Sequence, residues 1–274
     1  MVPHPWDFLF LYQETALMHN SIKRNLNMKI KQYLDSTYLK TASQAGLSEK
    51  DNMVVAKKLI QEAIDEQFKL IMIRPEMVVT AKKMIFEANS KVDIGTVIDF
   101  PEGKSGWIEK MKEAQQAIDN GADDLDFVCN YNAFKNGHLD VVKQEILNCT
   151  RLGLEHHKVV KWIIEVAALS HQQIIQLSAL IKNLVMSNFK EESYASIFVK
   201  SSTGFFVTKD DLPNGATVET IILMLENASP LQVKAAGGVR TYEEAVEMIQ
   251  LGVKRIGTSG AKAIADGHIS GAAY

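Results

Sequence analysis

The sequence predicts one α/β domain, a closed (β/α)8 barrel of the TIM type spanning residues 29–274, with a short N-terminal helical extension over residues 1–28. Two observations carry that reading. Short β-prone runs alternate with longer amphipathic stretches from about Lys29 to the end, the rhythm of βα units around a parallel sheet. Eight such runs can be counted, the number that closes a barrel, although a doubly wound open sheet accepts the same local pattern. The 274 residues are 46% hydrophobic and 23% charged, enough to bury one barrel core of roughly 250 residues. No low-complexity tract or charge block divides them.

In chain order the predicted strands are residues 28–35 (MKIKQYLD), 69–73 (KLIMI), 93–99 (DIGTVID), 123–128 (DDLDFV), 158–164 (KVVKWII), 195–200 (ASIFVK), 231–235 (LQVKA) and 253–257 (VKRIG). Helical patterns between them include residues 49–66, 104–120, 138–152, 171–182, 217–226 and 242–251. Ser48 with Asp51 and Thr241 with Glu244 have capping-box spacing, and Gly121, Gly153 and Gly252 stand where glycines end helices. Residues 6–17 are apolar and aromatic but interrupted by Asp7, Gln13 and Glu14. They suit an extra helix that closes the barrel bottom or packs on a second subunit, so a homodimer is one arrangement the sequence allows.

Composition narrows the function classes. A net charge of -3 with dispersed basic residues gives no field for a polyanion, so nucleic acid is not expected as a partner. No apolar run reaches the roughly 20 residues of a bilayer span, and no basic leader with a cleavage site frames the N-terminus. Membrane association is therefore not expected. Cys129 and Cys149 are too few for a disulfide framework and lack zinc-site spacing, which points to a reducing cytoplasm and no metal. The adjacent His156 and His157 read as solvated loop. Asp99 reads equally as a site residue or a turn cap before Pro101.

The period of two along a strand sets which side chains share a face. Asp124, Asp126 and Val128 share one, as do Val159, Lys161, Ile163 and Glu165, then Phe198 and Lys200, then Gln232 and Lys234. If these faces point inward, Asp126, Lys161, Lys200 and Lys234 converge, which is costly unless they pair. An ordinary lysine is neutral in only about four molecules in ten thousand at pH 7. Burial and a neighbouring ammonium lower that barrier and produce an amine able to attack a carbonyl, with Asp126 placed to hold or move a proton. The residues alone leave open which lysine is the nucleophile, and whether the four groups are only a structural ion-pair network. Gly204, the pair Gly237-Gly238, and Gly257 with Ser259 and Gly260 follow the last three strands, where loops of this fold gather phosphate on backbone N–H groups; singly, each is also an ordinary turn.

The motifs YLDSTYL, TVIDFPEG, GADDLDFV, FVKSSTG and VKAAGGVR, with the terminal Tyr274, together resemble the deoxyribose-phosphate aldolase family, in order from about Lys29 onward. The resemblance implies a class I aldolase, with no metal or cofactor, that cleaves 2-deoxy-D-ribose 5-phosphate to acetaldehyde and D-glyceraldehyde 3-phosphate. It implies that Lys200 forms the Schiff base, Lys234 perturbs it, and Asp126 transfers protons with a bound water. Lys161 matches a further lysine of the polar network. Asp35 and Thr37 match positions near the substrate hydroxyls, and Gly204, Gly237, Gly238 and Ser259 match the phosphate loops. Tyr274 matches a C-terminal tyrosine that assists proton removal from the acetaldehyde carbon. Three departures stand out: Phe205 where several members carry a lysine, Val166-Ala167 in place of Thr-Gly, and Lys-Ala-Ala in place of Lys-Pro-Ala. They leave two alternatives, a related Schiff-base aldolase with a different or unphosphorylated acceptor, and a non-catalytic phosphosugar-binding barrel.

Overall fold

The computed structural model describes residues 30–209 and 212–268, so the expectations for residues 1–28 and for Tyr274 lie outside the described residues. β1 (Leu34–Tyr38) leads into α1 (Ala42–Ala45) and α2 (Glu49–Glu66); β2 (Leu70–Ile73) into α3 (Val78–Glu87); and β3 (Asp93–Ile98) into α4 (Trp107–Asp119). β4 (Asp124–Val128) is followed by α5 (Tyr131–Lys135) and α6 (Leu139–Glu155), and β5 (Val159–Ile163) by α7 (His171–Asn188). β6 (Ile197–Lys200) precedes α8 (Val218–Ala228), β7 (Gln232–Ala236) precedes α9 (Tyr242–Leu251), and β8 (Arg255–Thr258) precedes α10 (Ala261–Ala265). Consecutive strands pair in parallel, and β8 returns to β1 with Leu34 opposite Ile256 and Asp35 opposite Gly257. The sheet is therefore closed, and the open doubly wound alternative is excluded.

Two expectations about elements are corrected. The first strand is Leu34–Tyr38 rather than residues 28–35: Ile30 and Lys31 are helical, Gln32 and Tyr33 form a turn, and Lys31 pairs with Glu66 at 2.7 Å, while Leu34, Asp35, Ser36 and Thr37 are all buried. A barrel strand is covered on both faces, so the alternating lysines at 29 and 31 mimic a half-exposed strand that this fold does not contain. Gly153 is not a helix end, because α6 continues to Glu155. It is buried where the helix presses on β5, and a Cβ there would lie 2.3 Å from Val160 Cγ2. Gly252 does end α9, at φ +120°, and Thr241 with Glu244 forms the full capping box. Ser48 caps only one way: it accepts from the Asp51 backbone N–H, while its own hydroxyl donates to the Asp51 carboxylate at 2.6 Å.

The apolar core lies mainly between barrel and helices. Leu34, Ile71 and Ile73 meet Ile60, Ala63 and Val78, and Phe127 stacks on Trp162 with centroids 5.2 Å apart. Burying each such large side chain contributes about 1.5–3 kcal/mol. Inside the barrel the two sides differ. Leu70, Met72 and Val97 of β2 and β3 make a small apolar cluster under Leu39, whereas charged side chains from the other six strands fill the rest. Among the described residues no helix is long and apolar enough to cross a membrane.

Candidate active site

Alternation along short, twisted strands aims Asp35, Asp124, Asp126, Lys161, Lys200, Lys234 and Arg255 into the barrel, each 5% exposed or less. Lys161 holds Asp124 at 2.6 Å and Asp126 at 2.8 Å. Lys234 holds Asp35 at 2.6 Å and Asp126 at 2.9 Å. Arg255 holds Asp35 at 2.6 Å and Asp124 at 3.3 Å. Among the described residues Lys200 holds only Asp126, through the same Oδ2 atom that serves Lys234, at 2.9 Å. Gly257 makes room for this packing, since a Cβ there would stand 3.2 Å from Lys234 Cε.

Four cations thus face three carboxylates. The surplus positive charge is most easily shed by the amine with fewest partners, and that amine is Lys200. Burial, then the ammonium groups of Lys234 and Lys161, push its pKa down to about 8 against the opposing pull of Asp126. Burial acts the same way on Lys234, but Asp126 and Asp35 overcome it and hold the proton on, raising its pKa. The two lysines that pattern could not distinguish are therefore electrostatically opposite. Burial favours a neutral Asp126, yet Lys161, Lys200 and Lys234 keep it well below the usual carboxylate range. In the resting site it can accept a proton, not supply one.

Asp126, Lys161, Lys200 and Lys234 are brought together as the sequence suggests. Asp35 and Lys161 have no exposed surface and face ion partners rather than an opening. Thr37 is also buried, and its hydroxyl donates to the Asp35 carbonyl at 2.8 Å. The glycine loops meet as well. The Ser202 hydroxyl donates to the Ala236 and Asn214 carbonyls, Thr258 donates to the Val239 carbonyl, and Gly204, Gly237 and Gly238 take φ of +81°, +74° and +90°. Ser259 follows β8 beside them. Asp99 caps the next turn, its carboxylate accepting from the backbone N–H and the hydroxyl of Ser105. Cys129 is buried against Glu145, and burial pushes its thiol pKa well above the usual value.

Three site residues were not singled out from sequence. Asp124 shares the inward face with Asp126, which was a usable signal. Arg255 opens β8 directly after the exposed Lys254, and its pairing with Lys234 in register and with Asp35 and Asp124 by charge shows that Arg255 is the inward one. Alternation puts Glu165 on the face of Lys161, and the structure buries it two residues past β5 at φ +57°; its pairing with Thr203 is what the pattern does not supply. It accepts from the Thr203 backbone N–H at 3.1 Å and from the Thr203 hydroxyl.

No family model matches the chain. The deoxyribose-phosphate aldolase of Thermococcus gammatolerans is 37% identical over 243 residues, covering 88% of this chain and 97% of that protein. The chain belongs to the deoxyribose-phosphate aldolase family. Deoxyribose-phosphate aldolase 1 of Staphylococcus aureus is 35% identical, over 88% of this chain and 97% of its own length. Among solved structures, the tetrameric deoxyribose phosphate aldolase of Aeropyrum pernix has a TM-score of 0.70 at 26% identity, covering 88% of this chain and 91% of that one. An aldolase called QR15 has a TM-score of 0.70 at 30% identity, over 86% and 94%. Within this deoxyribose-phosphate aldolase barrel Phe205 has a defined place: its ring meets Phe100 edge-on at 5.1 Å and packs against the Leu39, Leu70, Met72 and Val97 cluster.

Proposed function

We propose that this chain cleaves 2-deoxy-D-ribose 5-phosphate to acetaldehyde and D-glyceraldehyde 3-phosphate, and runs the reverse addition, through a Schiff base on Lys200. The observation that carries the assignment is the single, shared carboxylate contact of Lys200 in a lattice with one cation too many. With a pKa near 8, roughly a tenth of the amine is neutral at pH 7. That fraction attacks the sugar aldehyde, and loss of water from the carbinolamine gives the iminium ion. Removing the proton of the C3 hydroxyl breaks the C2–C3 bond, its electron pair moving into the iminium to form an enamine. Protonation of the enamine carbon and hydrolysis release acetaldehyde.

Asp126 accepts and returns protons with a bound water, and Lys234 supplies the like charge that keeps Lys200 reactive. Lys161, with Asp124, Asp35 and Arg255, fixes the positions of these groups. Gly204, Gly237, Gly238 and Ser259 hold the phosphate, remote binding that orients the sugar. Thr37 lies at the β1 end of the site, and Tyr274 assists proton exchange at the acetaldehyde carbon. The reading extends to a cytoplasmic role in deoxyribose catabolism, supported by two free, buried cysteines.

The test is cleavage of 2-deoxyribose 5-phosphate by the protein and by Lys200→Ala, with chelator present, together with borohydride reduction in acetaldehyde. Added mass on Lys200, and loss of cleavage in the variant, support the assignment. Full cleavage by Lys200→Ala, or no adduct on Lys200 in the unaltered protein, would overturn it.

A further inference from the structure

A cavity of about 420 Å³ lies between the loops that follow β3, β4, β5 and β6, its lining reaching Thr203, three residues past Lys200. Its inner lining includes Tyr131, Glu165, Ala168, Thr203, Phe205 and Phe206. Glu165 is 1% exposed, and although its Oε2 is occupied by Thr203, its Oε1 has no hydrogen-bond partner. A buried carboxyl oxygen left unmatched is costly, and natural proteins rarely leave one without a purpose. The backbone on either side of Glu165 is pinned to the reactive strand, Ile164 N–H donating to the Lys200 carbonyl at 3.0 Å and Val166 N–H to the Ser201 carbonyl at 2.9 Å. Through its backbone Glu165 is thereby held against β6, the strand whose Lys200 carries the covalent chemistry, and against the loop after it. Its left-handed backbone, φ +57° in a residue with a Cβ, is a strain of the kind that gathers at functional sites.

The chemistry of the lining selects the ligand. A phosphate or carboxylate would meet another acceptor at Glu165, and a cation would meet Lys135 and a Lys104 already paired with Glu102, so the rim carries no net negative charge to draw it. A neutral hydroxyl on a short carbon chain satisfies both the polar floor and the phenylalanine walls. We propose that this cavity is a recognition subsite for the hydroxylated chain of the acceptor aldehyde, with Glu165 Oε1 hydrogen-bonded to one of its hydroxyl groups. The proposal rests on the aldolase reading above and makes Glu165 a specificity-determining residue of that reaction. Burial pushes the Glu165 pKa up to about 7, so both its forms are populated near neutrality; a hydroxyl serves either, donating to the carboxylate or accepting from the acid.

The experiment compares addition of acetaldehyde to glyceraldehyde and to propanal, acceptors of equal carbon number that differ in hydroxyl groups. It uses the full chain, Glu165→Gln and Ala168→Leu. Glutamine can keep the Thr203 contact while changing the atom presented to the cavity, and leucine at 168 narrows the cavity while leaving the Glu165 carboxylate in place. Measured at pH 8, where Glu165 is mainly the carboxylate, each variant should lower the kcat/KM ratio of glyceraldehyde to propanal by about tenfold, for glutamine the difference between a hydrogen bond to a charged group and one to a neutral amide, chiefly through KM for glyceraldehyde. Equal losses on both acceptors would make Glu165 a mere latch for Thr203 and overturn the proposal, as would an unchanged ratio. If Glu165→Gln does not fold, the Ala168→Leu ratio decides alone. Borohydride trapping on Lys200 separates the two readings: an adduct with an unchanged ratio sinks the subsite only, whereas no adduct in the unaltered chain sinks both.

Discussion

Lys200 and Lys234 are opposite each other on β6 and β7 and contact one atom, Asp126 Oδ2, each at 2.9 Å. Neither lysine can be neutralised by that oxygen alone. Lys234 has a second carboxylate, Asp35, and among the described residues Lys200 has none. The division of labour between the two amines therefore follows from how six neighbouring strands distribute three aspartates, and not from burial, which is nearly the same for both.

The rate of imine formation with acetaldehyde should rise with pH as Lys200 loses its proton, with a midpoint near 8. Lys234→Met removes a like charge and frees Asp126 to pair more fully with Lys200, and both changes raise the Lys200 pKa. The midpoint should move toward that of an ordinary lysine, and imine formation at pH 7 should fall by about tenfold or more. The pH profile of cyanoborohydride trapping measures it. A midpoint that stays near 8 would remove Lys234 from the activation.

Glu165 makes a separate prediction about stability. Its folded pKa of about 7 lies above the ordinary value of 4.5, so between those pH values the folded protein retains a proton that the unfolded chain has released. Its stabilising contribution is full below pH 4.5 and is lost as pH rises through 7, by at most about 1.4 kcal/mol per pH unit in that window. Glu165→Gln does not titrate. Urea midpoints at pH 5 and pH 8 should show the unaltered protein losing more stability than the variant, and parallel losses would contradict the raised pKa.

Much of this site was legible because a strand's period of two is rigid: Asp126, Lys161, Lys200 and Lys234 converge as alternation requires. What pattern could not supply is partner count. Asp35 and Arg255 are 220 positions apart in sequence and meet only because β8 closes on β1. Without them either lysine could be the nucleophile. Glu165 was legible only as an inward-facing position two residues past β5, because its bond to Thr203 depends on how the loop after β6 folds back. The first strand was misplaced because the fold inverts a usual cue: LDSTY looks too polar for a core, yet its aspartate is matched by Lys234 and Arg255.

The phosphate loops can be tested through Gly238. At φ +90° an L-residue is strained, and a Cβ would lie 3.0 Å from the Ala216 carbonyl oxygen, so Gly238→Ala must shift the loop after β7 against the one after β6. KM for 2-deoxyribose 5-phosphate should rise about tenfold or more, while turnover of unphosphorylated deoxyribose changes less, because only the remote contact is disturbed. Equal effects on the two sugars would take Gly238 out of phosphate binding.

Gly153 gives the clearest prediction for the scaffold. An alanine there overlaps Val160 Cγ2, and it also comes within 3.9 Å of Leu125 Cδ1, so α6 cannot keep its present seat on β4 and β5. Overpacking of this kind costs about 1–3 kcal/mol, or a fall in Tm of roughly 2–12 °C for a domain this size. Val160→Ala removes the colliding methyl but leaves a cavity that is itself destabilising. In the double variant the new alanine methyl occupies that space, so the two losses should partly cancel, with a coupling of about 0.5 kcal/mol or more. Urea denaturation of the four proteins completes the cycle. Strictly additive losses would mean that α6 shifts as a whole instead of colliding at Val160.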